Sequence, residues 1–285
     1  MDIQSWYAKG SAFSSGDTNV FYVREGKGVP LLCIHGFPTS SWDFATVFPE
    51  LCKQFDCIVP DLPGLGISKA PLDKNIIMKQ TDAIELLLEE LNISEAHIFA
   101  HDIGDTIVQE LLARKKEHKS RVNWLSAVFM NGGMFPEANH PRPIQKLLGS
   151  FIGPFLGRFL SARTFNNTMN RIFSDAHPPS ETFLNSSWTL LLNNDGRKMI
   201  PIIIQYLKER WIHIQRWRAP IEQPEIPMAM INGIEDPISG LETAQFFQQL
   251  QSNSQTIFIK NSGHYPHIET PDDVLTAFFK FHQSL

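Results

Sequence analysis

Short runs of aliphatic and β-branched residues recur along the chain, separated by longer stretches in which apolar residues return at helical intervals. VFYVRE (20–25), PLLCIH (30–35), DCIVP (56–60), AHIFAH (96–101), WLSAVFMN (124–131), PMAMIN (227–232) and QTIFIK (255–260) read as strands. Most are nearly continuous in their apolar character, as strands must be when both faces of their sheet are covered. Between them IIMKQTDAIELLLEEL (76–91), the set Ile107, Val108, Leu111 and Leu112, LETAQFFQQL (241–250) and DDVLTAFFKFHQ (272–283) carry the helical period. The alternation predicts an α/β fold with a mostly parallel central sheet flanked by helices.

One interval breaks the rhythm. Residues 135–223 hold helical pieces, many aromatics and several Pro and Gly, after which strand and helix resume. This predicts a core made of residues 1–134 and 224–285 with a helical cap, 135–223, inserted between two strands. Ligands of open α/β sheets bind beyond the carboxyl ends of the strands, so such an insertion would roof the site. Within it LLGSFIGPFLGRFL (147–160) is too short and too interrupted by Gly, Pro and Arg to span a bilayer. It reads as a mobile lid helix over an apolar pocket, or as a point of peripheral membrane contact through the cap.

Composition narrows the function. The 285 residues, 42% hydrophobic and 19% charged, suffice for a sizeable core and one or two domains. A net charge of −5 without a long basic run argues against nucleic acid as a partner. RKKEHKSR (114–121) reads as a solvated helix end favoured by the helix dipole. Cys33, Cys52 and Cys57 are odd in number and lack metal-site or disulfide spacing, so reduced thiols in a cytoplasmic setting are expected. MDIQSWYAKG at the start has no basic region followed by an apolar one, so no secretory signal is expected.

The chemistry gathers around AHDIGD (100–105), which has the small-x-nucleophile-x-small form of a strand-to-helix nucleophile turn, with Ala100 and Gly104 flanking Asp102. The last position of that form, usually small, is Asp105, read as a negative charge in the first helical turn or as a polar group of the site. An aspartate ordinarily titrates near about 4, so Asp102 needs no base to become a nucleophile. A carboxylate attacks saturated carbon, displacing an epoxide oxygen or a halide and leaving an alkyl ester on the protein. Hydrolysis of that ester needs a base, a residue to orient it and an oxyanion hole. In chain order these are His264 in NSGHYPHIETP, Asp236 in INGIEDPIS, and the backbone N–H groups of Phe37 in IHGFP and of Ile103. The expected partners are water and a small apolar electrophile; the scheme requires neither cofactor nor metal.

HGFPTSSWDF, PDLPGLGIS, AHDIGD, GIEDP and GHYPHIETP together resemble the epoxide hydrolase and haloalkane dehalogenase branch of the α/β hydrolases over nearly the whole chain. HDIGDTIVQELLAR, NGGMFPE, LLNNDG and HPRPIQKLL further resemble the mesoderm-specific transcript group. The resemblance implies an α/β-hydrolase fold, with Tyr206 in IIIQYLKERW as the cap tyrosine that protonates an epoxide oxygen, followed by Arg210 and Trp211 in a comparable pattern. A second cap tyrosine, usual in epoxide hydrolases, has no counterpart between Asp102 and Tyr206. Halide release is the alternative, with Trp188 and Trp211 as N–H donors, although Ile103 stands where related dehalogenases place Trp and Phe37 where they often place Asn. Another alternative is an idle hydrolase fold used for binding. An ester or lactone hydrolase ranks lower, because an aspartate attacking an acyl carbon would form a labile anhydride. His35 and His101 are expected to support loop geometry and Asn131 to add a polar contact; Glu137 is a distant substitute for Asp236, and His267 a decoy for His264.

Overall fold

The strand runs place seven of the strands to within two residues of their ends: β2 (Thr18–Gly26), β3 (Val29–Ile34), β4 (Phe55–Pro60), β5 (Glu95–His101), β6 (Asn123–Met130), β7 (Met228–Gly233) and β8 (Gln255–Ile259). They are preceded by β1 (Ser11–Ser15), which no apolar run announces. It is a mostly exposed edge strand, held by an antiparallel hairpin with β2 that turns at Gly16. The computed structural model describes residues 1–193, 195–251 and 254–285; Asn194, in the LLNNDG run, lies outside the described residues.

The sheet order is β1-β2-β4-β3-β5-β6-β7-β8. From β4 to β8 every neighbouring pair is parallel, and β1 and β2 complete one edge antiparallel. Successive side chains on the central strands enter different cores. Leu32, Ile34, Ile98, Ala100 and Phe129 join one apolar cluster, whereas Leu31, Cys33, Phe99, Val128 and Met130 join another. Both sets are buried, which is why these strands read as continuous apolar runs. Burying a side chain of this size contributes roughly 1.5–3 kcal/mol.

The helices Ile76–Glu90, Ile103–Lys116, Leu241–Leu250 and Pro271–His282 cover the sheet. Between β6 and β7 the described residues form no strand, but a series of helices running from Pro143–Leu148 to Ile214–Glu222. Two polar contacts tie this series to the core. Glu209, buried in the helix Tyr206–Ile212, accepts the N–H groups of Ile76 (2.6 Å) and Ile77 (3.0 Å), two orphan donors at a helix start. Arg216 and Trp217 donate to Glu110. RKKEHKSR is not wholly a solvated end: Arg114 turns inward to pair with Glu85 (2.6 Å) and Glu110 (2.8 Å), joining two core helices.

The chain reverses direction across the sheet at β3, continuing to β4 on one side and β5 on the other. The loops leaving β3 and β5 therefore meet at a topological switch point, where open α/β sheets form their binding crevice.

Candidate active site

Asp102 stands at that crevice in a strained conformation, φ +51° and ψ −109°, between β5 and the helix Ile103–Lys116. A side-chain-bearing residue adopts positive φ at a cost of order 1–3 kcal/mol, which surrounding packing must offset. Gly104 permits the turn, since a Cβ there would lie 2.5 Å from the Ile34 carbonyl oxygen. Asp105 corrects the expectation of a helix-start charge. Its carboxyl accepts the Met130 N–H (3.1 Å) and fits beside Gly132, where a Cβ would approach it to 2.3 Å. Burial raises this carboxyl well above the usual range, so it fastens β6 to the turn more than it charges the helix.

The Phe37 N–H donates to Asp102 Oδ2 at 2.9 Å. Ile103, the other expected oxyanion donor, opens the following helix, where first-turn N–H groups lack intrahelical acceptors. Gly36 allows the close approach: a Cβ on it would meet His101 Nδ1 at 2.6 Å and Asp102 Cβ at 3.1 Å. His35 is a loop fastener, its Nε2 accepting the Leu62 N–H (2.9 Å) and its Nδ1–H donating to the Gly36 carbonyl (2.7 Å).

His264 Nε2 lies 4.0 Å from Asp102 Oδ2, and its Nδ1–H donates to Asp236 Oδ2 at 2.8 Å. The Asp236 carboxylate also accepts from Asn131 Nδ2 (2.9 Å), Ser239 Oγ (2.8 Å) and the Ile238 N–H (2.8 Å). Burial alone would raise the Asp236 pKa, but the imidazole and these donors outweigh it and hold the carboxyl below its usual range. For His264, burial pushes the pKa down and the Asp236 carboxylate, with Asp102 further off, pulls it up to about 9. Glu137 is not an orienting acid here, since it pairs with Arg218 at a partly exposed position.

Glu269, within the GHYPHIETP motif, holds the histidine loop. It accepts the N–H groups of Gly263 (2.8 Å), Tyr265 (2.9 Å) and Ser174 (2.8 Å), the last from the segment between β6 and β7. His101 Nε2–H donates to the His264 carbonyl at 2.7 Å, so it too supports the loop. His267 is buried against Phe44 and His101, and burial lowers its pKa to about 3. Among the described residues, Asp43, His101 and His267 are the group whose ligand atoms could converge on a metal ion, lying within 4.8 Å of one another. None of them lines the cavity.

That cavity is apolar and meets the site at Phe37 and His264, with Leu148, Phe165, Trp188 and Ile200 among its walls. Tyr206 is outside its lining but 1% exposed, its ring edge-on to Phe37 at 5.8 Å and beneath the Arg210 guanidinium at 4.6 Å. Burial, then the Asp102 charge, raises the Tyr206 pKa and keeps the phenol neutral. Trp211 is a correction: it is 57% exposed on the far side of its helix and cannot offer an N–H to a group at Asp102. Arg210, cited in the sequence only as part of a pattern, is the residue that reaches the site. Its Nη2 is 3.9 Å from Asp102 Oδ1, its Nε–H donates to Thr106 Oγ1 (2.9 Å), and its side chain is 2% exposed.

Residues 29–271 match the model of the alpha/beta hydrolase fold. The mesoderm-specific transcript homolog protein of Bos taurus is 32% identical over 98% of this chain and 87% of its own. A soluble epoxide hydrolase of Corynebacterium sp. shares 38% identity over 89 residues, 30% of each chain. In structure, the haloalkane dehalogenase DbeA of Bradyrhizobium elkani superposes with a TM-score of 0.80 at 18% identity, over 97% of this chain and 99% of that one.

Proposed function

The chain belongs to the α/β-hydrolase fold family, and from that premise we propose that it hydrolyses an epoxide to a diol through an alkyl ester of Asp102. The observation that carries this reading is the surroundings of one carboxylate. Asp102 Oδ2 is held by the Phe37 N–H, while Oδ1 faces a buried cation, Arg210, whose helix also carries the neutral phenol of Tyr206. Both are groups that polarise or protonate an oxygen leaving group.

In the first step Asp102 Oδ1 attacks a ring carbon. The carbon–oxygen bond breaks, its electron pair goes to the ring oxygen, and the Tyr206 hydroxyl delivers a proton there. The Tyr206 oxygen regains its proton from the His264 imidazolium. The raised His264 pKa means that this proton is in place at neutral pH. Ester formation removes the Asp102 charge that helped to hold it, so the imidazole becomes the base of the second step. His264 takes a proton from water as the water oxygen attacks Asp102 Cγ, and the N–H groups of Phe37 and Ile103 hold the oxyanion. Collapse expels the alkoxide, which takes the proton of the newly formed carboxyl group, so the diol leaves and carboxylate and imidazolium remain. Asp236 orients the ring and stabilises its charge throughout. The helices between β6 and β7 act as the cap, keeping water from the first step and supplying the apolar walls.

Dehalogenation is less favoured: Ile103 follows the nucleophile where an indole would bind the halide, and Trp211 is on the surface. The likeness to a soluble epoxide hydrolase, confined to part of the chain, supports the epoxide reading. A single turnover in H₂¹⁸O tests it. The diol should be unlabelled and the peptide bearing Asp102 should gain the label, because the product oxygen comes from the carboxylate. Label in the first-turnover diol with none in that peptide would mean direct attack by water.

A further inference from the structure

The helices that wall one side of the cavity are apolar on two faces. In Pro143–Leu148, Gly153–Gly157 and the turns after each, Ile144, Leu148 and Leu160 line the cavity. Leu147, Phe151, Phe155 and Phe159 recur every four residues and are exposed, Phe151 to 94% and Phe159 to 68%. The rings of Phe155 and Phe159 meet edge to face at 5.2 Å, so the stripe ends in a joined aromatic pair. A helix buried by its inner face alone would carry polar residues outside, and an exposed apolar patch of this kind marks an interaction surface.

Along this stretch of the chain the charge has one sign. Between Glu137 and Asp175 there is no Asp or Glu, yet there are five cations, Arg142, Lys146, Arg158, Arg163 and Arg171, in a chain whose net charge is −5. All but the half-buried Arg142 are exposed. From the adjoining helix Gly196–Ile203, Arg197 Nε–H donates to the Leu160 carbonyl, and the acid at the start of that helix, Asp195, is taken by Lys198.

We infer that this face docks on an anionic lipid bilayer, with the aromatic stripe in the headgroup boundary and the cations on lipid phosphates and carboxylates. Among the described residues no helix is long and apolar enough to cross a membrane, so the contact is interfacial. Two copies meeting patch to patch would set like charges against each other, whereas an anionic bilayer matches both the stripe and its rim. An outer groove containing Arg142, Ile144, Thr164 and Thr168 shares these residues with the cavity, so groove and cavity are neighbours beneath these helices. Entry of an apolar substrate from the bilayer on this side rests on the proposed use of the cavity; the docking itself does not.

The test is cosedimentation of the whole chain with vesicles of phosphatidylcholine alone or mixed with phosphatidylserine, at low and physiological salt. Binding should require phosphatidylserine and weaken with salt. The triple substitution Phe151→Ser, Phe155→Ser, Phe159→Ser should weaken it by at least about tenfold, and Arg158→Gln with Arg163→Gln by about fivefold per charge. Circular dichroism should be unchanged in both, since all five side chains are exposed, and sedimentation velocity should find monomers throughout. Absence of binding to the mixed vesicles, undiminished binding of the triple variant, or a wild-type dimer that the triple variant dissolves would overturn the inference. Failure of epoxide turnover would leave the vesicle result untouched.

Discussion

Arg210 Nη2 lies 3.9 Å from Asp102 Oδ1, and both side chains are almost completely buried. The same nitrogen finds no hydrogen-bond acceptor among the described residues. A buried cation is costly without a counter-charge. At rest Asp102 supplies it, and in the proposed first step negative charge builds on the leaving oxygen, beside the same guanidinium, until the Tyr206 proton reaches it. Arg210→Met should therefore slow alkylation of Asp102 by about 10²-fold, the effect of removing one preorganised donor from a developing oxyanion. Rapid-quench measurement of ester formation checks this; alkylation at the wild-type rate would leave Arg210 with a structural role only.

Tyr206→Phe separates the two leaving groups. Removing a general acid costs about 10²–10⁴-fold, so epoxide opening should fall in that range. Alkylation by a haloalkane, which needs no proton, should be nearly unchanged. Equal losses on both substrates would show that the hydroxyl shapes the site in general and is not the proton donor to the leaving oxygen.

The His264–Asp236 pair sets a stability window. The folded-state pKa of His264 is raised to about 9, so its contribution is fully present below about 6.5, the unfolded value, and is lost as pH rises through 9. Asp236 is lowered, so its contribution is present above the unfolded carboxylate value and is lost as pH falls through the folded one. Thermal melts should thus show a loss of stability between neutral pH and pH above about 9, with about 3 kcal/mol as an upper value for His264. His264→Gln should remove most of this alkaline limb. An unchanged limb would place the titration elsewhere.

The fold and much of this site are legible in the sequence because their signals are local. A doubly covered sheet writes apolar runs, and the tight strand-to-helix turn at Asp102 has small residues, Ala100 and Gly104, two positions to either side. Gly36 and Gly263 likewise directly precede Phe37 and His264 in the sequence. Arg210 was not legible as a site residue: nothing local distinguishes it from Trp211, its neighbour, and only the path of the helix Tyr206–Ile212 turns one inward and the other to solvent. Asp105 misled because a first-turn acid suits the helix dipole, while its actual acceptor role depends on the end of β6, 25 residues away. β1 leaves no trace in the pattern because an exposed edge strand has no apolar run to show.

Glu209 shows the same dependence on long-range contact, reaching the start of a helix more than 130 residues earlier in the chain. Glu209→Ala should leave the N–H groups of Ile76 and Ile77 without an acceptor and lower stability by about 2–3 kcal/mol, as expected for buried, charge-assisted bonds. It should also loosen the helix that carries Tyr206 and Arg210. Urea denaturation checks the first effect. A change below about 0.5 kcal/mol, the range of an ordinary surface substitution, would mean that water replaces the carboxylate.

The most direct test of the central claim is to trap the ester. In His264→Gln the base is gone while Asp102, Tyr206 and Arg210 remain. Incubated with a panel of epoxides and then digested, this variant should yield a peptide containing Asp102 that is heavier by the mass of one epoxide, and wild-type protein should not accumulate it. An adduct on any other residue, or turnover by the variant at the wild-type rate with Asp102 unmodified, would contradict nucleophilic attack by Asp102.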